Sequence, residues 1–133
     1  DVNLLENLLK ISCSLNEASK NIKNLTYSHE YLKRSAILLE NRLDYLAQLE
    51  IDVKKIDFEV SFGRTSMEYY DGFVFEMGPI NKVSSIPFAQ GGRYNELTRI
   101  LSHLEGHEKS PCSVGAIIRP EILHAFKLKE GIL

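Results

Sequence analysis

The sequence predicts an α+β protein whose strands form an antiparallel sheet. Apolar residues recur at helical spacing through roughly the first fifty residues, and the pattern changes to strict alternation from Ile56 onward. The strand candidates that follow have short connections, which favour antiparallel neighbours because parallel strands need a crossover of about a dozen residues or more. The predicted order is therefore helices, three strands, a helix, a strand and a last helix.

Three helices are predicted before the first strand. Leucines at near-helical spacing mark the first helix within residues 4–11, and Ser14 with Glu17 forms a capping-box pattern that begins the second. The third helix begins near Ser28, and its apolar stripe repeats at spacings of four and three: Leu32, Ala36, Leu39, Leu43 and Leu46. Because neither Pro nor Gly occurs before Gly63, we expect a continuous helical segment here.

Three strands are predicted next. Residues 56–62 alternate apolar and polar side chains, which is typical of a half-buried strand. The second strand candidate covers residues 69–77, and Gly78 breaks it. Residues 86–89 predict a third strand, which we expect Gly91-Gly92 to end as a tight turn into a helix.

The last part of the chain predicts a helix, a strand and a helix. Apolar residues from Tyr94 to Leu104 mark an amphipathic helix that closes near Gly106. The fully apolar run Val114–Ile118 predicts a buried central strand. Pro120 suits the first turn of a last helix, and Gly131 suits its end.

Composition excludes several classes of protein. The chain has 133 residues with 16 basic and 18 acidic side chains, and its net charge of -2 with no basic run predicts no nucleic-acid partner. No apolar run approaches the roughly 18 residues of a membrane span. Cys13 and Cys112 lack metal-ligand spacing, so we expect reduced thiols in a cytoplasmic protein. The chain starts with Asp1, which indicates a fragment of a longer protein or a processed chain, and we favour the fragment.

No catalytic residue, metal site or cofactor is predicted. His103 and His107 lie four apart, but Leu104 stands where a zinc-protease helix needs Glu, and Gly106 ends the helix. We therefore expect a solvated helix end. No Ser or Cys lies in a nucleophile-elbow pattern, and Gly91-Gly92 lacks the Lys and Ser/Thr of a phosphate loop.

Residues 62–76 form the most informative segment. On a strand, the adjacent Tyr69 and Tyr70 point to opposite faces, so one ring can pack in the core while the other lines a pocket. The nearby carboxylates of Glu68, Asp71 and Glu76 can receive a cationic group. From pattern alone, an ordinary aromatic-rich strand is the favoured interpretation of this segment.

Three ordered motifs resemble one family. Residues 68–76, Glu-Tyr-Tyr-Asp-Gly-Phe-Val-Phe-Glu, resemble a signature of histidyl-tRNA synthetases and their paralogues. Residues 89–97, Ala-Gln-Gly-Gly-Arg-Tyr-Asn-Glu-Leu, resemble the second histidine-specific motif of that family, and residues 113–123 lie where class II synthetases carry motif 3. The resemblance implies the antiparallel sheet of a class II aminoacyl-tRNA synthetase-like domain. Residues 1–50 would be an inserted helical segment, and residues 51–133 the C-terminal part of that domain.

Two departures from the family pattern favour a non-catalytic paralogue. Thr65 stands where the synthetases have an Arg that assists attack of histidine on ATP, and Arg64 is one residue away, on the opposite face of a strand. In motif 3 Glu121 is kept, but Ile122 replaces the Arg that holds ATP phosphate. An aliphatic side chain cannot neutralise phosphate charge, so the losses argue against amino-acid activation.

A synthetase-like protein with these two losses resembles the regulatory subunits of ATP phosphoribosyltransferase. The resemblance implies a subunit that lacks aminoacylation activity, assembles with the catalytic subunit of that enzyme and makes the first step of histidine biosynthesis sensitive to histidine. It also implies a histidine-type pocket formed by Tyr69, Tyr70, Arg93 and Tyr94. Glu68 and Glu76 are second choices, because either can bind the ligand or orient Arg93.

Other interpretations remain open at this point. The chain can be a fragment of a divergent histidyl-tRNA synthetase that activates histidine and charges tRNA, or a helical interaction module. A degenerate paralogue can also keep pocket residues for packing alone and be regulated at a subunit interface. Motifs 1 and 2 are missing, and half a sheet leaves an unpaired edge, so we expect self-association or dependence on further sequence.

Overall fold

The computed structural model describes residues 2–26, 29–63, 69–79, 86–106 and 109–132, with the side chain of Thr26 left out. The chain divides into two compact units, Asp1–Phe62 and Gly63–Leu133. Each unit combines helices with an antiparallel sheet. The prediction of an α+β protein with antiparallel strands is therefore confirmed.

The first unit contains, in its described residues, three α-helices and two short strands. In chain order these are α1 (Val2–Leu9), β1 (Ser12–Ser14), α2 (Leu15–Thr26), α3 (Lys33–Gln48) and β2 (Asp57–Glu59). Single 3-10 turns precede α3 and β2, at Glu30–Leu32 and Val53–Lys55.

Helix α2 begins where the capping pattern predicts. The Ser14 hydroxyl accepts a hydrogen bond from the Glu17 amide at 3.4 Å, and this contact satisfies one of the unpaired amides of the first turn. Apolar side chains from α1, the following segment, α2 and α3 form the core of the unit: Leu4, Ile11, Leu15, Ala18, Ala36 and Leu39.

The expected continuous helical segment is wrong, because β1 interrupts it. Strand β1 pairs antiparallel with β2, with Cys13 opposite Phe58. The ladder extends on one side, where the Ile11 carbonyl accepts from the Val60 amide at 3.2 Å. These partners lie more than forty residues away in the chain, which is why local periodicity misses the strand.

The third helix begins later than predicted. Helix α3 starts at Lys33, after the 3-10 turn at Glu30–Leu32, whereas the sequence places its start near Ser28. Ser28 itself lies outside the described residues.

The second unit consists, in its described part, of a three-stranded sheet and two helices. The elements are β3 (Val74–Met77), β4 (Ala89–Arg93), α4 (Asn95–Leu104), β5 (Val114–Ile118) and α5 (Pro120–Lys129). The strand order is β3-β4-β5, and both pairs are antiparallel.

Two strand predictions in this unit are wrong at their ends. The strand expected over residues 69–77 begins only at Val74, so Tyr69 and Tyr70 precede it. The strand expected over residues 86–89 starts at Ala89 and continues to Arg93. Gly91 and Gly92 are therefore buried inside β4, and the turn that they were expected to form does not occur there.

Strand β5 is present as predicted, but its predicted place in the sheet is wrong. Among the described strands β4 is central, and β5 lies at an outer position. Val114 and Ile118 are 61% and 63% exposed. The strand predicted over residues 56–62 also belongs elsewhere, because β2 pairs with β1 and not with β3.

The ends of the last two helices are predicted correctly. Helix α4 stops at Leu104, and Gly106 adopts a φ of 79° just beyond it. Pro120 is the first residue of α5, and Gly131 follows its end with a φ of 67°. Among the residues described, no helix has the length and apolar character that crossing a bilayer requires.

Candidate functional site

Three tyrosine rings cluster on one face of the second sheet. Tyr69 and Tyr70 have ring centroids 4.2 Å apart, and the Tyr94 ring lies 6.1 Å from the first and 6.2 Å from the second. These separations are typical of tilted and edge-to-face aromatic pairs. The expectation that Tyr69 and Tyr70 point to opposite faces is wrong, since both precede the strand and their rings touch.

A row of small residues forms the floor beneath these rings. Val74, Gly92 and Gly115 are directly opposite one another in β3, β4 and β5, so they share one face. A Cβ on Gly92 would lie 2.8 Å from a ring carbon of Tyr70, and a Cβ on Gly115 would lie 3.0 Å from a ring carbon of Tyr94. The two glycines therefore let the rings lie directly on the sheet backbone.

The segment that carries Tyr70 is tied to the start of α4. The Asp71 amide donates to the Arg93 carbonyl at 3.0 Å, and the Asp71 carboxylate accepts a hydrogen bond from the Glu96 amide. The Tyr94 amide in turn donates to the Ser113 carbonyl at 3.0 Å. The rings of Tyr70 and Tyr94 are thus held by hydrogen bonds that join three separate parts of the chain.

The environment of Tyr70 opposes ionisation of its hydroxyl. A hydrogen bond with the Tyr69 side chain, followed by desolvation and by the charges of Tyr69 and Tyr94, raises the pKa of Tyr70 to about 12 from the usual 10.0. Each of these effects favours the neutral phenol over the phenolate. The hydroxyl therefore stays protonated at neutral pH, where it both donates and accepts hydrogen bonds.

A tyrosine titration tests this environment. We expect the tyrosinate absorbance of the folded chain to show a late step near pH 12, which Tyr70→Phe removes. The pKa of Tyr70 is higher in the folded chain than in the unfolded chain. The contribution of its neutral hydroxyl to the free energy of unfolding is therefore complete below pH 10 and is lost as the pH rises towards 12. The control is Tyr45→Phe, a 67%-exposed tyrosine of the first unit, which should leave the late step unchanged. A late step that survives Tyr70→Phe would contradict the assignment.

The remaining predicted pocket residues divide between the two faces of the sheet. Glu76 is paired with Gln90, two positions along β4 from Gly92, so it lies on the face of the tyrosines. Arg93 follows Gly92 directly and lies on the opposite face. Its guanidinium carbon is 5.8 Å from the centre of the Phe73 ring, in a cation–π contact.

Arg93 is therefore not brought together with the three tyrosines, and Glu76 does not lie on the face where it would orient Arg93. Glu68, the other second choice, lies outside the described residues, as do Thr65 and Arg64. Of the residues predicted for a histidine-type pocket, the structure brings together Tyr69, Tyr70 and Tyr94.

The one arginine in residues 113–123, Arg119, hydrogen-bonds to backbone carbonyls of the same unit. The Arg119 guanidinium donates to the Pro87 carbonyl at 3.0 Å, and the Arg119 amide donates to the Phe88 carbonyl at 2.8 Å. Ile122 is half-buried in the first turn of α5. Arg119, three positions before Ile122, is thus hydrogen-bonded to the backbone of the two residues that precede β4.

Sequence reasoning missed Gly115 and Asp71 as parts of this site. Gly115 supports Tyr94 only because β5 pairs with β4 in this register, which the sequence does not reveal. Asp71 was expected to receive a cationic group together with Glu68 and Glu76, and not to hold the tyrosine segment against α4. Its distance of 25 positions from Glu96 leaves no local signal for the hydrogen bond between them.

The arrangement can recognise a small planar polar group. Phenol hydroxyls donate and accept hydrogen bonds, and exposed ring surface packs against another ring. Tyr69 is 54% exposed, and Tyr70 and Tyr94 are half-buried, so the cluster is accessible to a ligand. No cluster of metal-ligand side chains is found among the residues that the structure describes.

Comparison with known proteins gives one consistent name. The chain is 33% identical over 106 residues to the ATP phosphoribosyltransferase regulatory subunits of Brucella canis, Brucella suis and Brucella melitensis. The match covers 78% of this chain and 28% of each relative, so the chain spans little more than a quarter of the proteins it matches. No family model matches the sequence. The predicted resemblance to these regulatory subunits is confirmed.

Proposed function

We propose, from this homology to ATP phosphoribosyltransferase regulatory subunits, that the chain is part of such a subunit and acts in the first step of histidine biosynthesis. The observation that carries the proposal is the single name shared by relatives that match 78% of the chain. A regulatory subunit needs an enzyme to regulate. The partner in this proposal is the ATP phosphoribosyltransferase catalytic subunit, in the cytoplasm.

The proposed regulatory ligand is histidine, bound at the tyrosine cluster. Tyr69, Tyr70 and Tyr94 offer hydroxyls and ring faces within 4.2–6.2 Å of one another, which suits an imidazole ring. Glu76 lies on the same face of the sheet, two positions along β3 from Val74, so its carboxylate is suited to the ligand's amino group. Two other candidates for the pocket are not part of this binding surface: Arg93 contacts Phe73 on the opposite face, and Glu68 lies outside the described residues.

The same proposal holds that the protein does not activate amino acids. The sequence has Thr65 and Ile122 where the synthetase family has arginines that contact ATP. Arg119, the nearest cation in motif 3, donates to the Pro87 carbonyl. This arrangement supports a subunit that has kept the synthetase-like scaffold and lost the charges that stabilise adenylation.

Assembly is a further part of the proposal. Residues 1–50 would be the inserted helical segment, and residues 51–133 the C-terminal part of a synthetase-like domain. Helix α4 carries exposed apolar residues on one side, and β5 lies at the outside of the described sheet with Val114, Ile117 and Ile118 exposed. Exposed apolar surface beside a strand edge is typical of a surface that pairs with more protein. We infer self-association of the longer protein through such surfaces.

Reconstitution tests the function. The full-length protein that contains this chain should co-purify with a catalytic subunit of ATP phosphoribosyltransferase and be required for phosphoribosyl transfer, which histidine should then inhibit. Tyr94→Ala should weaken the inhibition by histidine about tenfold, the equivalent of about 1.4 kcal/mol. Tyr45→Ala, an exposed ring in the first unit, is the matched control.

Two outcomes would count against the proposal. Histidine-dependent exchange of pyrophosphate with ATP by the full-length protein would favour the divergent synthetase. Normal phosphoribosyl transfer without the protein, together with no co-purification, would remove the regulatory role.

A further inference from the structure

Asp71 makes two contacts that bridge the tyrosine segment and the junction of β4 with α4. Its backbone amide donates to the Arg93 carbonyl at 3.0 Å. Its carboxylate accepts from the Glu96 amide in the first turn of α4. Asp71 directly follows Tyr70, and its two partners flank Tyr94. One residue therefore joins the segment of one ring to the segment of the other.

The start of α4 needs this contact from outside. Tyr94 precedes the helix and provides no side-chain cap, so the first-turn amides lack a local acceptor. The Glu96 carboxylate is turned towards Arg99, whose Nε donates to it at 2.7 Å. An acidic group at a helix N-terminus is favoured by the partial positive charge there. Asp71 supplies the acceptor and the charge that the local sequence does not.

We propose that Asp71 is a positioning residue, which sets the separation of the Tyr70 and Tyr94 rings and so the shape of the ligand pocket. The inference rests on the proposed binding of histidine at the tyrosine cluster. It adds a residue that touches no ligand and acts through the two rings. Losing the carboxylate removes the bond to the first turn of α4 and leaves the backbone bond to the Arg93 carbonyl. The start of α4 can then shift relative to the tyrosine segment, so the spacing of the rings is less fixed while the sheet keeps its own ladder.

Two variants of Asp71 and one matched control test the inference in the full chain. Asp71→Ala removes the acceptor, and Asp71→Asn keeps an acceptor oxygen without the charge. Asp52→Ala is the control, because the Asp52 carboxylate accepts from the Lys54 amide at 3.1 Å in the same kind of contact, in the first unit. Near-ultraviolet circular dichroism reports the rings directly, since the chain has 6 tyrosines and no tryptophan. Calorimetric titration with L-histidine measures the affinity of the pocket for histidine.

The expected result is a large loss of the near-ultraviolet tyrosine signal and about fivefold weaker histidine binding in Asp71→Ala. Asp71→Asn should restore most of both, and Asp52→Ala should change neither. An Asp71→Ala variant with unchanged tyrosine signal and unchanged affinity would overturn the inference. If both Asp71 variants lose their far-ultraviolet helix signal, Asp71 is a folding residue and the inference is wrong.

If the proposed function fails, the experiment gives a different result. Neither the parent chain nor any variant then binds histidine. The near-ultraviolet tyrosine signal is still lost in Asp71→Ala and regained in Asp71→Asn. That result would keep the positioning role of Asp71 and discard histidine as the ligand.

Discussion

Gly91→Ala is expected to lower the free energy of unfolding of the second unit more than a Gly→Ala substitution at any other glycine of that unit. A Cβ on Gly91 would lie 2.3 Å from the Gly115 carbonyl oxygen and 2.8 Å from the Ala116 Cα. Both atoms belong to the backbone of β5, so relief requires β4 and β5 to move apart and lose hydrogen bonds. We expect a cost of about 3 kcal/mol or more, at the upper end of overpacking effects.

Urea unfolding of the full chain, followed by the near-ultraviolet tyrosine signal, measures this cost. The matched control is Gly78→Ala in the same unit, where the added Cβ would meet, among the described residues, only Pro87, with its Cα at an ordinary 3.6 Å. Gly78 has no positive φ, so the control carries no backbone strain. An unfolding midpoint of Gly91→Ala equal to that of Gly78→Ala would show that β4 and β5 are not packed as closely as described.

The helices of this chain were largely predictable because their signals are local. Ser14 with Glu17 at the start of α2, Pro120 at the start of α5 and Gly131 after its end act within one turn of the helix. Such residues act through their own backbone or through a neighbour three or four positions away. Their effect does not depend on the rest of the fold.

The strands were less predictable because their partners are remote. Strand β1, with the sequence Ser-Cys-Ser, has no apolar alternation, and it exists because β2 pairs with it. Gly91-Gly92 is a turn signal on local grounds, but in β4 the absence of side chains permits close packing against β5 and Tyr70. The same local sequence supports either structure, and the neighbouring strand decides between them.

The candidate site was predictable in its residue types and not in its geometry. The motif resemblance selected Tyr69, Tyr70 and Tyr94, and the structure brings these rings together. It also selected Arg93, but strand alternation turns this side chain away, towards Phe73. Motifs identify which residues are close in sequence to a pocket, whereas the face on which each one lies follows from the register of the sheet.

Gly115→Ala is expected to weaken ligand binding at the tyrosine cluster while the second unit stays folded. Its Cβ would lie 3.0 Å and 3.1 Å from the outer ring carbon and the hydroxyl oxygen of Tyr94. Both atoms are at the far end of a side chain that can rotate, in contrast to the backbone atoms that oppose a Cβ on Gly91. The variant should therefore stay folded, with a stability change of about 1 kcal/mol or less, and bind histidine about tenfold more weakly.

A double-mutant cycle with Tyr94→Ala makes this test sharper. If Gly115→Ala acts only by displacing the Tyr94 ring, the double variant should bind histidine as weakly as Tyr94→Ala alone, and no more weakly. Additive losses would mean that Gly115 contributes by another route, such as direct contact with the ligand. Equal unfolding midpoints for Gly115→Ala and Gly78→Ala would confirm that the loss belongs to the pocket, because a side chain that rotates relieves the overlap without moving the strands.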